Sequence, residues 1–265
     1  MKTRSVQILT ALAMIAGAAR TASAADQSGA WSLSILGGDS IGESGSLRSP
    51  TQTTIADLGS LDSSLAGASG TLSLDKLKYE DLFKRRFDTG LELDYSFSDS
   101  LQTYGRFGYE SLGGRTRDIG ELSGEAITSP TAITARFADQ DNSSLEIGSR
   151  YYWPTGTSWR PFAGVALGAT HMDGMRASLT STTAAPDLQN LRFTRSSTMF
   201  SQSLETGVEY APSNEFGVRL SLDANHIGAP PSADDTRLAA LGFDASDDAR
   251  SRWSFPLAVA ASYHF

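Results

Sequence analysis

From Trp253 to Phe265 the chain alternates without a break. Trp253, Phe255, Leu257, Val259, Ala261, Tyr263 and Phe265 stand on one side, and Ser254, Pro256, Ala258, Ala260, Ser262 and His264 on the other. Successive side chains of an extended strand point to opposite faces, so the pattern predicts a strand with one apolar face and one face of small or polar groups. An aromatic final residue is unusual, because termini ordinarily fray into polar tails.

The same period recurs seven more times. It runs from Trp31 to Leu36, Phe87 to Phe97, Leu101 to Ser111, Ser143 to Trp153, Trp159 to His171, Phe200 to Tyr210 and Phe216 to Ile227. Most of these segments are near the roughly 9–11 residues that a tilted strand needs to cross a bilayer. Their connections alternate in length. Ser98-Asp99-Ser100, Pro154 to Ser158 and Ala211 to Glu215 are tight, whereas residues 37–86, 112–142, 172–199 and 228–252 are long and polar. Eight strands joined this way place both ends of the barrel on one side and let the first strand pair with the last. Aromatics support the same frame. Tyr95, Phe97, Tyr151, Trp153, Trp159, Tyr210, Phe216, Tyr263 and Phe265 flank the short turns, and Phe107, Tyr109, Phe200, Trp253 and Phe255 lie at the far ends. Two such girdles mark the interfaces of a membrane barrel, and the competing fold, a soluble β-sandwich, has no need of them.

The N-terminus is consistent with export. Lys2 and Arg4 precede an apolar run from Ile8 to Ala19, and Ala22-Ser23-Ala24 supplies a small-residue cleavage site. This reads as a signal peptide over residues 1–24, cleaved after Ala24, with a barrel domain over residues 25–265. Removing Lys2, Arg4 and Arg20 moves the formal charge from -8 to -11. So acidic a chain argues against nucleic acid as a partner. The absence of cysteine excludes a disulfide framework and thiolate chemistry.

The architecture and the ending Ser262-Tyr263-His264-Phe265 resemble the small OmpA/OmpX-type outer-membrane barrels of Gram-negative bacteria, and more loosely the OmpW group. The resemblance implies an all-β fold: an eight-stranded antiparallel up-and-down transmembrane β-barrel with short periplasmic turns and long extracellular loops. It implies outer-membrane lipids and lipopolysaccharide as surroundings, and the acidic charge leaves divalent cations as bridges to the latter. It also implies that the barrel-assembly machinery reads Tyr263 and Phe265. No peptidoglycan-binding domain is expected after the barrel.

A barrel of eight strands is just wide enough for its own side chains to fill. Strand parity turns Glu92, Asp94, Arg106, Glu110, Glu146, Arg150, Arg160, Glu205, Glu209, Arg219 and Asp223 inward. Pairing Phe97 with Leu101 sets Glu92 opposite Arg106. Pairing Tyr210 with Phe216 sets Arg219 diagonal to Glu205 and Glu209. Buried charges persist when paired, so these residues predict a polar plug, with a narrow solute channel as the alternative.

No nucleophile elbow, zinc spacing or phosphate loop is present in the sequence. The expectation is a non-enzymatic protein without cofactor or metal. It would serve the envelope or contact an extracellular ligand through its loops. Of the three histidines, His264 lies at the turn end, and His226 faces away from Ser221 and Asp223. His171 with Asp173, on one face at the end of the fifth segment, is the best candidate for an enzyme acting on outer-leaflet lipid. In the loops, Thr71 to Tyr79 alternates and Asp75 to Arg86 is charged, which predicts either an extension of the barrel or a short helix. Asp234-Asp235 and Asp247-Asp248 read as solvated charge, with calcium the alternative.

Overall fold

The computed structural model describes residues 28–60, 63–84, 87–181, 188–233 and 250–265. The signal segment with Ala22 and Ala24, Arg86, and the acidic pairs Asp234-Asp235 and Asp247-Asp248 lie outside the described residues. Sixteen strands are formed among the described residues. The first eight are β1 (Trp31–Ser44), β2 (Ser46–Arg48), β3 (Thr51–Ile55), β4 (Gly70–Leu74), β5 (Leu77–Lys78), β6 (Phe87–Ser96), β7 (Leu101–Leu112) and β8 (Thr116–Gly124). The others are β9 (Thr131–Phe137), β10 (Gln140–Tyr152), β11 (Trp159–Met172), β12 (Arg176–Ser181), β13 (Leu188–Arg192), β14 (Ser197–Tyr210), β15 (Phe216–Ile227) and β16 (Arg252–His264). One helical turn, α1 (Tyr79–Leu82), follows β5.

Eight of these strands close a barrel in the order β1-β16-β15-β14-β11-β10-β7-β6, with every pair antiparallel. All eight alternating segments of the sequence supply these strands. Closure extends to the last residue: the Phe265 amide donates to the Trp31 carbonyl at 2.8 Å, and the Trp31 amide to the Phe265 carbonyl at 3.1 Å. The outer wall is apolar. Ile147 is 69% exposed, Leu145 65% and Phe200 61%, while Ser34, Glu92 and Arg150 on the inner wall are fully buried. Exposed apolar surface on this scale requires lipid to cover it, which makes the barrel the transmembrane type. Beside the short turns the aromatics pack in pairs, Trp31 on Tyr95, Tyr151 on Trp153, Trp159 on Tyr210 and Phe216 on Tyr263.

The structure departs from the sequence reading in three places. First, β1 runs to Ser44 instead of stopping at Leu36. Gly37, Gly38 and Gly42 break the apolar alternation there, but the backbone stays extended. A Cβ at Gly38 would sit 2.7 Å from the Leu257 carbonyl oxygen, so glycine lets β1 approach β16 closely.

Second, Tyr210 pairs with Val218 rather than Phe216, two residues further along β15. The turn is held by Ser213, whose hydroxyl accepts from the amides of Glu215 and Phe216. This register sets Arg219 directly opposite Glu209 and Asp223 opposite Glu205.

Third, the long connections are not simple polar loops. Their strands assemble a six-stranded sheet in the order β13-β12-β9-β8-β4-β3, beside a two-stranded β2-β5 ribbon. Leu58, Tyr79, Leu82, Leu112, Ile119, Leu122 and Leu191 are completely buried within a core of their own. The alternating piece Thr71 to Tyr79 becomes β4, β5 and the start of α1: the short helix forms, while the strands join the outer sheet and the β2-β5 ribbon instead of extending the barrel. Burial pushes the Tyr79 hydroxyl up to about 12, with nearby Arg252 opposing the shift and Glu43 adding to it. In the same layer, the amides of Gly67 and Gly59 donate to the Asp57 carboxylate and hold it below the ordinary carboxylate range.

Candidate functional site

The inner faces of β6, β7, β10, β14 and β15 bring their charged residues to one level of the barrel. Glu92 is the hub. Arg106 Nε lies 2.8 Å from its carboxylate, Arg150 Nη2 2.7 Å, and Arg219 Nη2 also bonds it. Glu205 is the second hub, with Arg150 Nε at 2.8 Å and Arg106 Nη2 at 3.2 Å. Arg150 reaches Asp94 at 2.9 Å, and that carboxylate also accepts from the hydroxyls of Ser32 and Ser34. Arg106 spans the lumen to Asp223 at 3.2 Å and approaches Glu146 at 3.9 Å.

Strand pairing accounts for part of this lattice: Arg106 stands opposite both Glu92 and Glu146, and Arg160 opposite Glu209. The bonds of Arg150 to Glu92, Asp94 and Glu205, of Arg106 to Glu205 and Asp223, and of Arg219 to Glu92 cross the lumen between strands that are not neighbours. They form because an eight-stranded barrel is narrow enough for a guanidinium to reach its far wall. Aromatic rings fill the gaps. Arg150 stacks on Tyr104 with 3.8 Å from its guanidinium carbon to the ring centre, and the ring centre of the fully buried Phe162 is 5.8 Å away. Toward the short turns, Glu209 accepts from Arg160 at 2.5 Å and from the Tyr152 hydroxyl at 2.8 Å.

Toward the long loops, Glu110 accepts from Asn142 at 2.5 Å and from Arg252 Nη2 at 3.1 Å. Arg252 also lies 3.4 Å from Glu43. Sequence reading missed Glu43, on β1 beyond Leu36, and also Arg252. It precedes the unbroken apolar alternation, yet it shares the parity of Ser254 and could have been found by extending the strand one residue back. All eleven inward charges named from the sequence line the lumen or its outer end, and Arg106, Arg150 and Arg219 gather five carboxylates: Glu92, Asp94, Glu146, Glu205 and Asp223.

The outer rim carries a second polar group. His171 Nδ1 is 3.0 Å from Thr198 Oγ1, and its Nε2 is 3.1 Å from Ser196 Oγ. The expected partner, Asp173, instead donates its own amide to the Asp141 carbonyl. Strand β11 ends at Met172, so Asp173 no longer shares its alternation. The Ser196 hydroxyl is also 3.2 Å from the Met172 carbonyl, an acceptor that competes with the imidazole. His226 packs on Trp253 with ring centres 4.8 Å apart, and His264 is buried at the turn end with neither ring nitrogen hydrogen-bonded. No group of three or more His, Asp or Glu residues suited to a metal ion occurs among the described residues.

Fold and lumen together define a transmembrane β-barrel of eight strands filled by an ion-pair lattice. No family model and no curated protein sequence matches the chain. Among solved structures it is similar to Neisserial surface protein A, at 13% identity and a TM-score of 0.42, over 91% of this chain and 99% of that one. It is also similar to Ail, the attachment invasion locus protein of Yersinia pestis, at 14% identity and a TM-score of 0.41, over 90% and 99%. The outer-membrane enzyme PagL gives 15% identity and a TM-score of 0.40, over 86% and 97%. Identities and TM-scores this low carry no role from these proteins to this chain.

Proposed function

We propose that this chain is a non-enzymatic protein of the Gram-negative outer membrane, with a closed barrel as anchor and the long-loop sheet as its working surface. The observation that carries this reading is the convergence of Arg106, Arg150 and Arg219 on Glu92, which leaves the middle of the lumen filled by salt-bridged side chains. Each of these charges is held by several partners, so opening a path would strand more than one of them without compensation. The six-stranded sheet, with its separate hydrophobic core, provides a rigid outer layer suited to contacts with lipopolysaccharide, a neighbouring cell or a soluble ligand. In this reading the barrel-assembly machinery recognises β16 through Tyr263 and Phe265. Liposome swelling tests the closed lumen: vesicles containing the refolded protein should take up small sugars no faster than empty vesicles. Rapid swelling would favour the narrow-channel alternative.

A second reading rests on the Ser196–His171–Thr198 chain of hydrogen bonds. With its Nδ1 proton directed at Thr198, the imidazole could accept the Ser196 proton at Nε2 and activate that hydroxyl against an acyl carbonyl of an outer-leaflet lipid. Mass spectrometry of lipid A and phospholipids from cells expressing wild type, Ser196→Ala or His171→Ala decides it. The non-enzymatic reading expects identical spectra for all three. Loss of an acyl chain with wild type alone would establish the enzyme.

A further inference from the structure

On the long-loop side of the lattice the lumen opens into a chamber of about 110 Å³. A single water needs roughly 10–15 Å³ on this measure, so the chamber has room for a small organic ion. Asn142, Glu146, Ser201, Asp223 and Asn225 contribute to its walls, and Arg106 is the one cation among the described residues that line it.

Two independent features of this chamber point to the same ligand chemistry. The first is hydrogen bonding. Asn142 Oδ1, Asp223 Oδ1 and Asn225 Oδ1 are buried oxygens with no hydrogen-bond donor. Asn142 and Asp223 are only 3% and 4% exposed, so bulk solvent does not reach them freely. The deficit is one-sided, because these three atoms are acceptors alone. The second feature is charge. Among the described residues, the lattice within the barrel joins Glu92, Asp94, Glu146, Glu205, Glu209 and Asp223 to Arg106, Arg150, Arg160 and Arg219, six carboxylates against four guanidiniums. The shortage falls at the chamber floor, where Glu146 and Asp223 share Arg106 with Glu92 and Glu205.

We propose that this chamber is a binding site for a small protonated amine. Water would satisfy the orphaned oxygens and protonation would relieve the charge, but neither brings a cation and hydrogen-bond donors to the site together. No group of three or more His, Asp or Glu drawn together for a metal ion occurs among the described residues, and a bare cation brings no N–H donors. An ammonium group supplies both missing elements, a positive charge for Glu146 and Asp223 and several N–H donors for Asn142, Asn225 and Asp223. The site lies above the plug and does not depend on the plug being closed, so it can fail without affecting the proposed function.

The test uses the whole barrel, refolded in detergent in the presence of 1,4-diaminobutane so that entry does not limit occupancy, then dialysed and titrated by calorimetry. The expected result is saturable binding of the diamine, none of neutral 1,4-butanediol, and at least tenfold weaker binding in Glu146→Gln, Asp223→Asn and Asn225→Leu. Asn225→Leu leaves every named ion pair in place, which guards against a folding defect in the two carboxylate variants. The proposal is overturned by an absence of binding, by equal binding of butanediol, by sodium or potassium competing at the same concentration, or by unchanged affinity in a folded Asn225→Leu protein.

Discussion

Arg106 of β7 stands directly across from Glu92 of β6, with 2.8 Å between Nε and the carboxylate, and the same guanidinium reaches over the lumen to Glu205 and Asp223. A pair fixed by neighbouring strands thereby becomes the junction of a lattice that ties opposite walls of the barrel together.

Glu92 is the member whose removal should matter most. Glu92→Gln leaves Arg106, Arg150 and Arg219 buried with one fewer negative partner each. The expected loss is about 3–5 kcal/mol, the range for breaking one side of a buried ion pair. Equilibrium urea unfolding in lipid vesicles measures it, and a loss below about 1 kcal/mol, typical of an exposed pair, would mean that the lattice is not stabilising.

The long-loop layer has its own core, so it should be separable from the barrel. Leu122 is completely buried in that core, and Leu122→Ala should cost about 2–5 kcal/mol of local stability. Limited proteolysis should then cut within residues 112–142 faster than in wild type, while the barrel keeps the gel mobility of the folded form. Simultaneous loss of both would show one cooperative unit.

Tyr79 offers a titration. Its hydroxyl is raised from about 10 to about 12 by burial, so its contribution to stability is fully present below pH 10 and is lost as the pH climbs through about 12. The difference in ultraviolet absorbance between wild type and Tyr79→Phe should show one tyrosine ionising near pH 12. Because this hydroxyl is buried without a hydrogen-bond partner, Tyr79→Phe should also be neutral or slightly stabilising at pH 7.

Asp57 gives the opposite sign. Its carboxylate is lowered by the amides of Gly67 and Gly59, so the stabilisation is present above the ordinary aspartate value and disappears as pH falls through the lower folded value. The amide protons of Gly59 and Gly67 should keep their hydrogen-bonded chemical shifts through pH 4 and lose them only in stronger acid. Asp57→Asn should weaken both contacts at neutral pH and abolish their change in acid.

The barrel was legible because lipid outside and polar packing inside impose period two on each crossing strand, and Trp253 to Phe265 displays that period without interruption. Glu92 opposite Arg106 followed from a tight turn whose length leaves little choice of register. Arg219 opposite Glu209 did not follow, because the five residues from Ala211 to Glu215 admit two registers and the Ser213 hydroxyl selects one. The outer sheet was hidden for a different reason. Strands such as β4 and β12 are only five and six residues long, and their buried leucines acquire meaning when residues far apart in sequence meet. At the rim, the sequence singled out His171 but not Ser196, which lies 25 positions away and reaches the imidazole only through the pairing of β11 with β14.

Single-channel recording in planar bilayers tests the central claim, a lumen closed by its own ion pairs. Wild-type protein, inserted in folded form at neutral pH and 1 M KCl, should produce no long-lived conductance steps. Stable, long-lived steps from the wild-type barrel would contradict the account, because they require a continuous aqueous path past Glu92 and its three arginines.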